Sequence, residues 1–93
     1  MTTTTETQRD YAEVTDLHVG MAQLIIRVED ITGRRLTQLE ISHATGIPQG
    51  TISKWSNGYV SRLDKHIIVA LLNYFNQYFE CTLEDLLVLH TAE

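Results

Sequence analysis

The stretch that most constrains the fold runs from Leu36 to Gly58. Thr37 and, three residues on, Glu40 form the S/T-x-x-E pattern in which side chain and backbone satisfy each other's unpaired donors, so a helix is expected to begin there. Leu36, Leu39, Ile41 and Ala44 supply its apolar contacts. Gly46 takes positive φ without steric cost, which a sharp reversal needs. Pro48 presets the first turn of a second helix, where a missing N–H is no loss. Ile52 and Trp55, three apart, are expected to face inward, and Asn57-Gly58 to stop the motif's second helix. Two short helices around a tight turn make a helix-turn-helix, predicted over residues 37–57.

The flanks read as further helices. Thr15 or Asp16 is placed to cap a segment in which Leu17, Met21, Leu24, Ile25, Val28 and Ile31 recur at spacings of three and four, ending at Thr32-Gly33. Arg27, Glu29 and Asp30 fall largely on its wet side. After a loop at Tyr59 to Arg62, a long helix is predicted from Leu63 to about Phe79, with Asp64 as its cap. Its apolar stripe of Ile67, Ile68, Leu71, Leu72, Phe75, Tyr78 and Phe79 is wide enough to bury two surfaces. Thr82-Leu83-Glu84-Asp85 is a second capping box, leading a last helix through Leu86, Leu87 and Leu89. Residues 1–14, with four threonines and no clear period, read as a flexible N-terminal arm, leaving one domain over residues 15–93. Glycine and proline are scarce among the 93 residues, so an all-α chain is expected.

The run L-T-Q-x-E-I-x-x-A-T-G-I-x-x-x-T-I-S-K-W-x-x-G resembles the lambda-repressor-like helix-turn-helix family, the group of phage repressors and Cro proteins. Gln38, Ala44, Gly46, Ile47, Thr51-Ile52-Ser53 and Gly58 carry the likeness together, over roughly a quarter of the chain. The resemblance implies a compact bundle of about five helices whose third enters the DNA major groove. It also implies a phosphate contact for Gln38 at the start of the first motif helix. The chain departs from the family at Asn73 to Glu80, a segment longer and richer in aromatic residues than usual.

The chemistry of the second motif helix suits duplex DNA. Gln49 opens it with an amide that matches adenine N6 and N7, Ser53 and Lys54 share the outward face a turn later, and Thr51 offers a methyl or a hydroxyl. Gly50 presents no side chain where relatives present a polar one. A helical glycine costs about 1 kcal/mol against alanine, so close approach of the backbone to something is one reading and fewer reading side chains the other. Arg34, Arg35 and Arg62 are either phosphate contacts or solvated charges.

Net charge is −5, yet Arg34, Arg35, Lys54, Arg62 and Lys65, five of the seven basic residues, sit in or beside the motif. That asymmetry favours a charged binding face on an acidic body. The expected DNA-binding set is Thr37, Gln38, Gln49, Gly50, Thr51, Ser53, Lys54, Arg34, Arg35 and Arg62. With so few readers, a homodimer on two half-sites is expected. Its surface is assigned to Tyr74, Tyr78, Phe79, Leu86, Leu87 and Leu89, with core closure as the alternative use of the aromatics.

Other chemistries are poorly served. His18, His43, His66 and His90 lack metal-ligand spacing with Cys81, and neither paired catalytic carboxylates nor a phosphate-cradling glycine loop is present, so no cofactor, no metal and no enzyme are expected. The lone Cys81 fits a reducing, cytoplasmic setting, and no apolar run approaches the roughly 18 residues of a membrane span. Two functions compete. One is a sequence-specific regulator of transcription, of repressor type and from a phage, prophage or small operon, with a double-stranded DNA operator as partner. The other is a protein-interaction module (an antitoxin, an adaptor or a phage inhibitor of a host complex) that reuses the fold.

Overall fold

A computed structural model describes residues 14–58 and 60–91. The arm expected over residues 1–14 lies, but for Val14, outside the described residues, as does Tyr59. The elements in chain order are β1 (Val14–Val19), α1 (Met21–Thr32), α2 (Gln38–Thr45), α3 (Gln49–Ser56), α4 (Lys65–Phe75), α5 (Leu83–Leu86) and β2 (Leu87–Thr91). Five helices match the expected all-α bundle, and two short strands join them.

The helices meet around one core. Met21, Leu24 and Val28 enter it from α1, Ile41 from α2, Ile52 and Trp55 from α3, and Leu71, Tyr74 and Phe75 from α4. Leu36 and Ile47, just before α2 and α3, are buried with them, as are Cys81 and Leu86. Leu39 and Ala44 of the motif instead lie exposed, as does Ile31 at the end of α1.

Three expectations are corrected. The first concerns α1, which starts at Met21 rather than near Asp16. The six residues before it form β1, paired antiparallel with β2 as Leu17↔Leu89 and Val19↔Leu87. Gly20 is the hinge: its N–H donates to Leu86 O at 2.6 Å, and a Cβ there would lie 2.9 Å from Asp85 O. Asp16 caps no helix; its Oδ1 accepts from the N–H of Leu17 at 2.7 Å.

The second concerns α4, which ends at Phe75, four residues early. Asn76 stops it. Its side-chain amide donates to Leu72 O at 2.7 Å and Cys81 O at 2.9 Å, while its Oδ1 accepts from Cys81 N–H at 3.0 Å. One amide thus caps the helix and folds the 77–81 segment back. The third concerns the last helix, a single turn that gives way at Leu87 to β2. Its start is as read, with the Asp85 carboxylate accepting from the backbone N–H of Thr82 at 2.9 Å and from its hydroxyl at 3.2 Å. That backbone hydrogen bond, first, holds Asp85 below the usual carboxylate range.

Candidate nucleic-acid interface

The motif is built by short-range hydrogen bonds. At its start, the N–H of Glu40 donates to the Thr37 hydroxyl at 3.1 Å, and the Glu40 carboxylate accepts from the N–H of Thr37 at 3.3 Å. Arg34 adds its guanidinium to the other oxygen of Glu40 at 3.0 Å. This bond, ahead of the one from Thr37, holds the Glu40 carboxyl below the usual carboxylate range, and Glu40 in turn raises the Arg34 guanidinium. Both side chains stand in solvent, so the pair orders the helix entry more than it stabilises it. Glu29 of α1, which sequence reading left on a wet face, accepts from the N–H of Leu36 at 2.8 Å and ties α1 to the motif. No local sequence signal points to that contact, because it spans two elements.

The turn between α2 and α3 is pinned in the same way. Gly46 sits at φ 79°, ψ 4°, and its N–H donates to Ser42 O at 2.9 Å. The Ser42 hydroxyl donates to Ile47 O, while the Thr45 hydroxyl donates to Ile41 O at 2.7 Å and accepts from the N–H of Ile47 at 3.2 Å. Burial of Ile52 and Trp55 then orients α3 about its own axis. With those two inward, Gln49, Gly50 and Lys54 are exposed and Thr51 and Ser53 half-buried. Gln49 and Lys54 therefore face solvent.

A concavity of about 600 Å³ lies between α1, the start of α2 and the two ends of α3. Arg35, Thr37, Gln38, Gln49, Ser56 and Asn57 give it polar groups, and Ile25 and Leu39 are among its apolar lining. The cleft brings four of the predicted residues together: Arg35, Thr37, Gln38 and Gln49. Ser56 and Asn57 also line it, although sequence reading gave Asn57 only a role in ending the helix. Arg34 is turned to Glu40, and Arg62, exposed in the loop before α4, does not line the cleft. Beside Arg62, Asp64 caps α4 as expected, its Oδ1 accepting from the N–H of His66 at 2.8 Å.

The expected dimer surface divides. Tyr74 and Leu86 are core residues of the single chain, and Tyr74 packs edge-on against Phe75 with centroids 5.4 Å apart. Burial, followed by the neighbouring Tyr78, pushes the Tyr74 hydroxyl above its ordinary range. Phe79 is half-buried, stacked on Phe75 and covered by the Arg27 guanidinium 4.2 Å from its centroid. Tyr74 and Phe79 thus join Phe75 in closing the core, the second of the two uses weighed. Tyr78 and Leu87 are half-buried, and only Leu89 is open, at 61 % exposure. Leu17, at 39 %, and Leu83, at 49 %, join Leu89 around a small apolar hollow that sequence reading missed. Helical periodicity around Leu17 and Leu83 hides this strand-face neighbourhood.

Among the described residues no group of three or more His, Cys, Asp or Glu side chains gathers to hold a metal ion. Cys81 is buried, and that burial pushes its thiol up. No described helix is long and apolar enough to cross a membrane.

A capped helix, a pinned turn and a second helix with its polar face outward define a protein built to hold a helix against a nucleic-acid duplex. The sequence profile of the Cro/C1-type HTH DNA-binding domain matches residues 31–92, more than half of the chain. The protein belongs to that family and is a DNA-binding regulator of transcription. No curated protein and no solved structure matches it significantly.

Proposed function

We propose that the protein is a sequence-specific repressor that acts in the cytoplasm and binds a duplex operator as a homodimer, with α3 in the major groove. The observation that carries this reading is the shared cleft of Arg35, Thr37, Gln38 and Gln49 beside an α3 held from behind by Ile52 and Trp55. Arg35, Thr37 and Gln38 have the groups to hold a phosphate strand and set register. Gln49 and Lys54 have the reach to read base edges. Repression follows from occlusion where the site overlaps a promoter.

Two copies answer the small number of reading side chains, since one good contact discriminates by only about 1–3 kcal/mol. The leucine cluster of Leu17, Leu83 and Leu89 supports a surface for the pair. A two-fold axis brings such a patch onto itself, and an antiparallel edge strand is complementary to its own copy.

Selection from random duplex DNA at moderate salt tests the proposal. A pseudo-palindrome is the expected product. Gln49→Ala should relax base preference, while Lys54→Ala and Arg35→Ala should lower affinity and reduce the salt slope by about one for each lost phosphate contact. Leu89→Lys should leave monomers in sedimentation and weaken operator binding. Unselective binding by the parent, alongside a stable complex with another protein, would support an interaction module instead, a reading favoured by the acidic total.

A further inference from the structure

Four of the five glycines have a reason inside the fold. A Cβ at Gly20 would collide with Asp85 O, and Gly33, Gly46 and Gly58 all carry positive φ. Gly50 has none. It is the second residue of α3, carries no positive φ, and a Cβ built on it meets none of the described neighbouring atoms within 4 Å. Among the described residues nothing forbids a side chain there, and helix propensity favours one. The described residues thus leave the reason for glycine to whatever touches α3 from outside.

Ser53 and Lys54 follow Gly50 at i+3 and i+4, so the three share one face of the helix, with Gln49 beside them. On that face Gly50 offers no donor or acceptor side chain, only an uncovered Cα. The group on a major-groove edge that such a surface suits is the thymine 5-methyl, which gains from apolar contact and needs no hydrogen bond. We infer that Gly50 is a specificity-determining residue, whose bare backbone receives a thymine methyl of the operator in the space a Cβ would fill. This rests on the operator-binding role proposed above. It adds a base identity and a steric mode of reading to it.

The test pairs a one-methyl change in the protein with a one-methyl change in the DNA. The operator selected by the parent is remade with each thymine in turn replaced by deoxyuridine, which lacks only the methyl. One such replacement should weaken parent binding about fourfold, what burying a methyl-sized group is worth. Gly50→Ala should melt no lower than the parent, bind the thymine operator about tenfold more weakly, and lose its sensitivity to that same replacement.

Equal binding of the thymine operator by Gly50→Ala and the parent would overturn the inference while leaving the operator role intact. A deoxyuridine effect that persists in Gly50→Ala but disappears in Thr51→Ser would also overturn it, assigning the methyl to Thr51. A parent that selects no sequence at all overturns the operator role and this inference together.

Discussion

The helix-turn-helix and the β1–β2 ribbon are held by contacts of different reach. From Thr37 to Ile47 the fixing hydrogen bonds join residues within five positions of one another: Thr37 with Glu40, Thr45 with Ile41, Ser42 with Ile47. The ribbon joins residues about seventy positions apart, Leu17 to Leu89 and Val19 to Leu87. Closing a long loop costs entropy before any pairing rewards it, and a two-stranded ribbon alone is marginal in water. The ribbon therefore depends on a core that has already gathered α1 and α5, whereas the motif carries its own instructions. A surface meant to present chemistry in fixed geometry benefits from the first kind of construction. The second kind suits an appendage that can gain from a partner.

The contrast can be broken by experiment. The largest effect is expected from Trp55→Ala, which empties a buried site in α3 and should cost about 3–5 kcal/mol in denaturant unfolding. Because the ribbon leans on that core, its amides should lose protection along with those of the motif. Gly20→Ala comes next, at about 1–3 kcal/mol, since the new methyl must displace Asp85 O or the Val88 side chain. Here hydrogen exchange should rise at Leu17 to Val19 and Leu87 to Leu89 while the α2 and α3 amides stay protected. Equal loss in both regions would make the ribbon an integral part of the motif's stability.

The smallest effect concerns Arg34. Its guanidinium holds the Glu40 carboxyl low, so the contribution of this pair is complete above the ordinary glutamate value of about 4.3 and fades as pH falls through the lowered one. Arg34→Ala should shrink that acid-side loss without abolishing it, because the N–H of Thr37 still donates to Glu40. Urea melts between pH 3 and 6 measure the difference, which is small because the pair is exposed.

Legibility followed the reach of the contacts. The box at Thr37, the turn at Gly46 and the inward pair Ile52 and Trp55 were readable because their causes lie within a few residues. The strands are hidden in the sequence because Leu17, Met21, Leu24 and Val28 keep helical spacing across Gly20, and because the capping box at Thr82 points to a helix running on through Leu87 and Leu89. The alternation of Leu87, Leu89 and their neighbours gains meaning only once the distant partner strand is known. The aromatics from Tyr74 to Phe79 could be listed but not placed, since the clip formed by Asn76, though only five residues long, follows no recurring sequence pattern, and the cover supplied by Arg27 is tertiary. In the candidate interface, the exposure of Gln49 and Lys54 follows from helical periodicity. The cleft that joins Arg35 and Gln38 to Gln49 depends on how α1 lies across the motif.

Pairing Val14 with Thr91 puts the two outermost described positions of the chain side by side. Polypeptide added before one and after the other would leave from a single point. A circular permutant that links residue 91 to residue 14 through a tight turn, and opens between Ser61 and Arg62, would retain every helix and both strands.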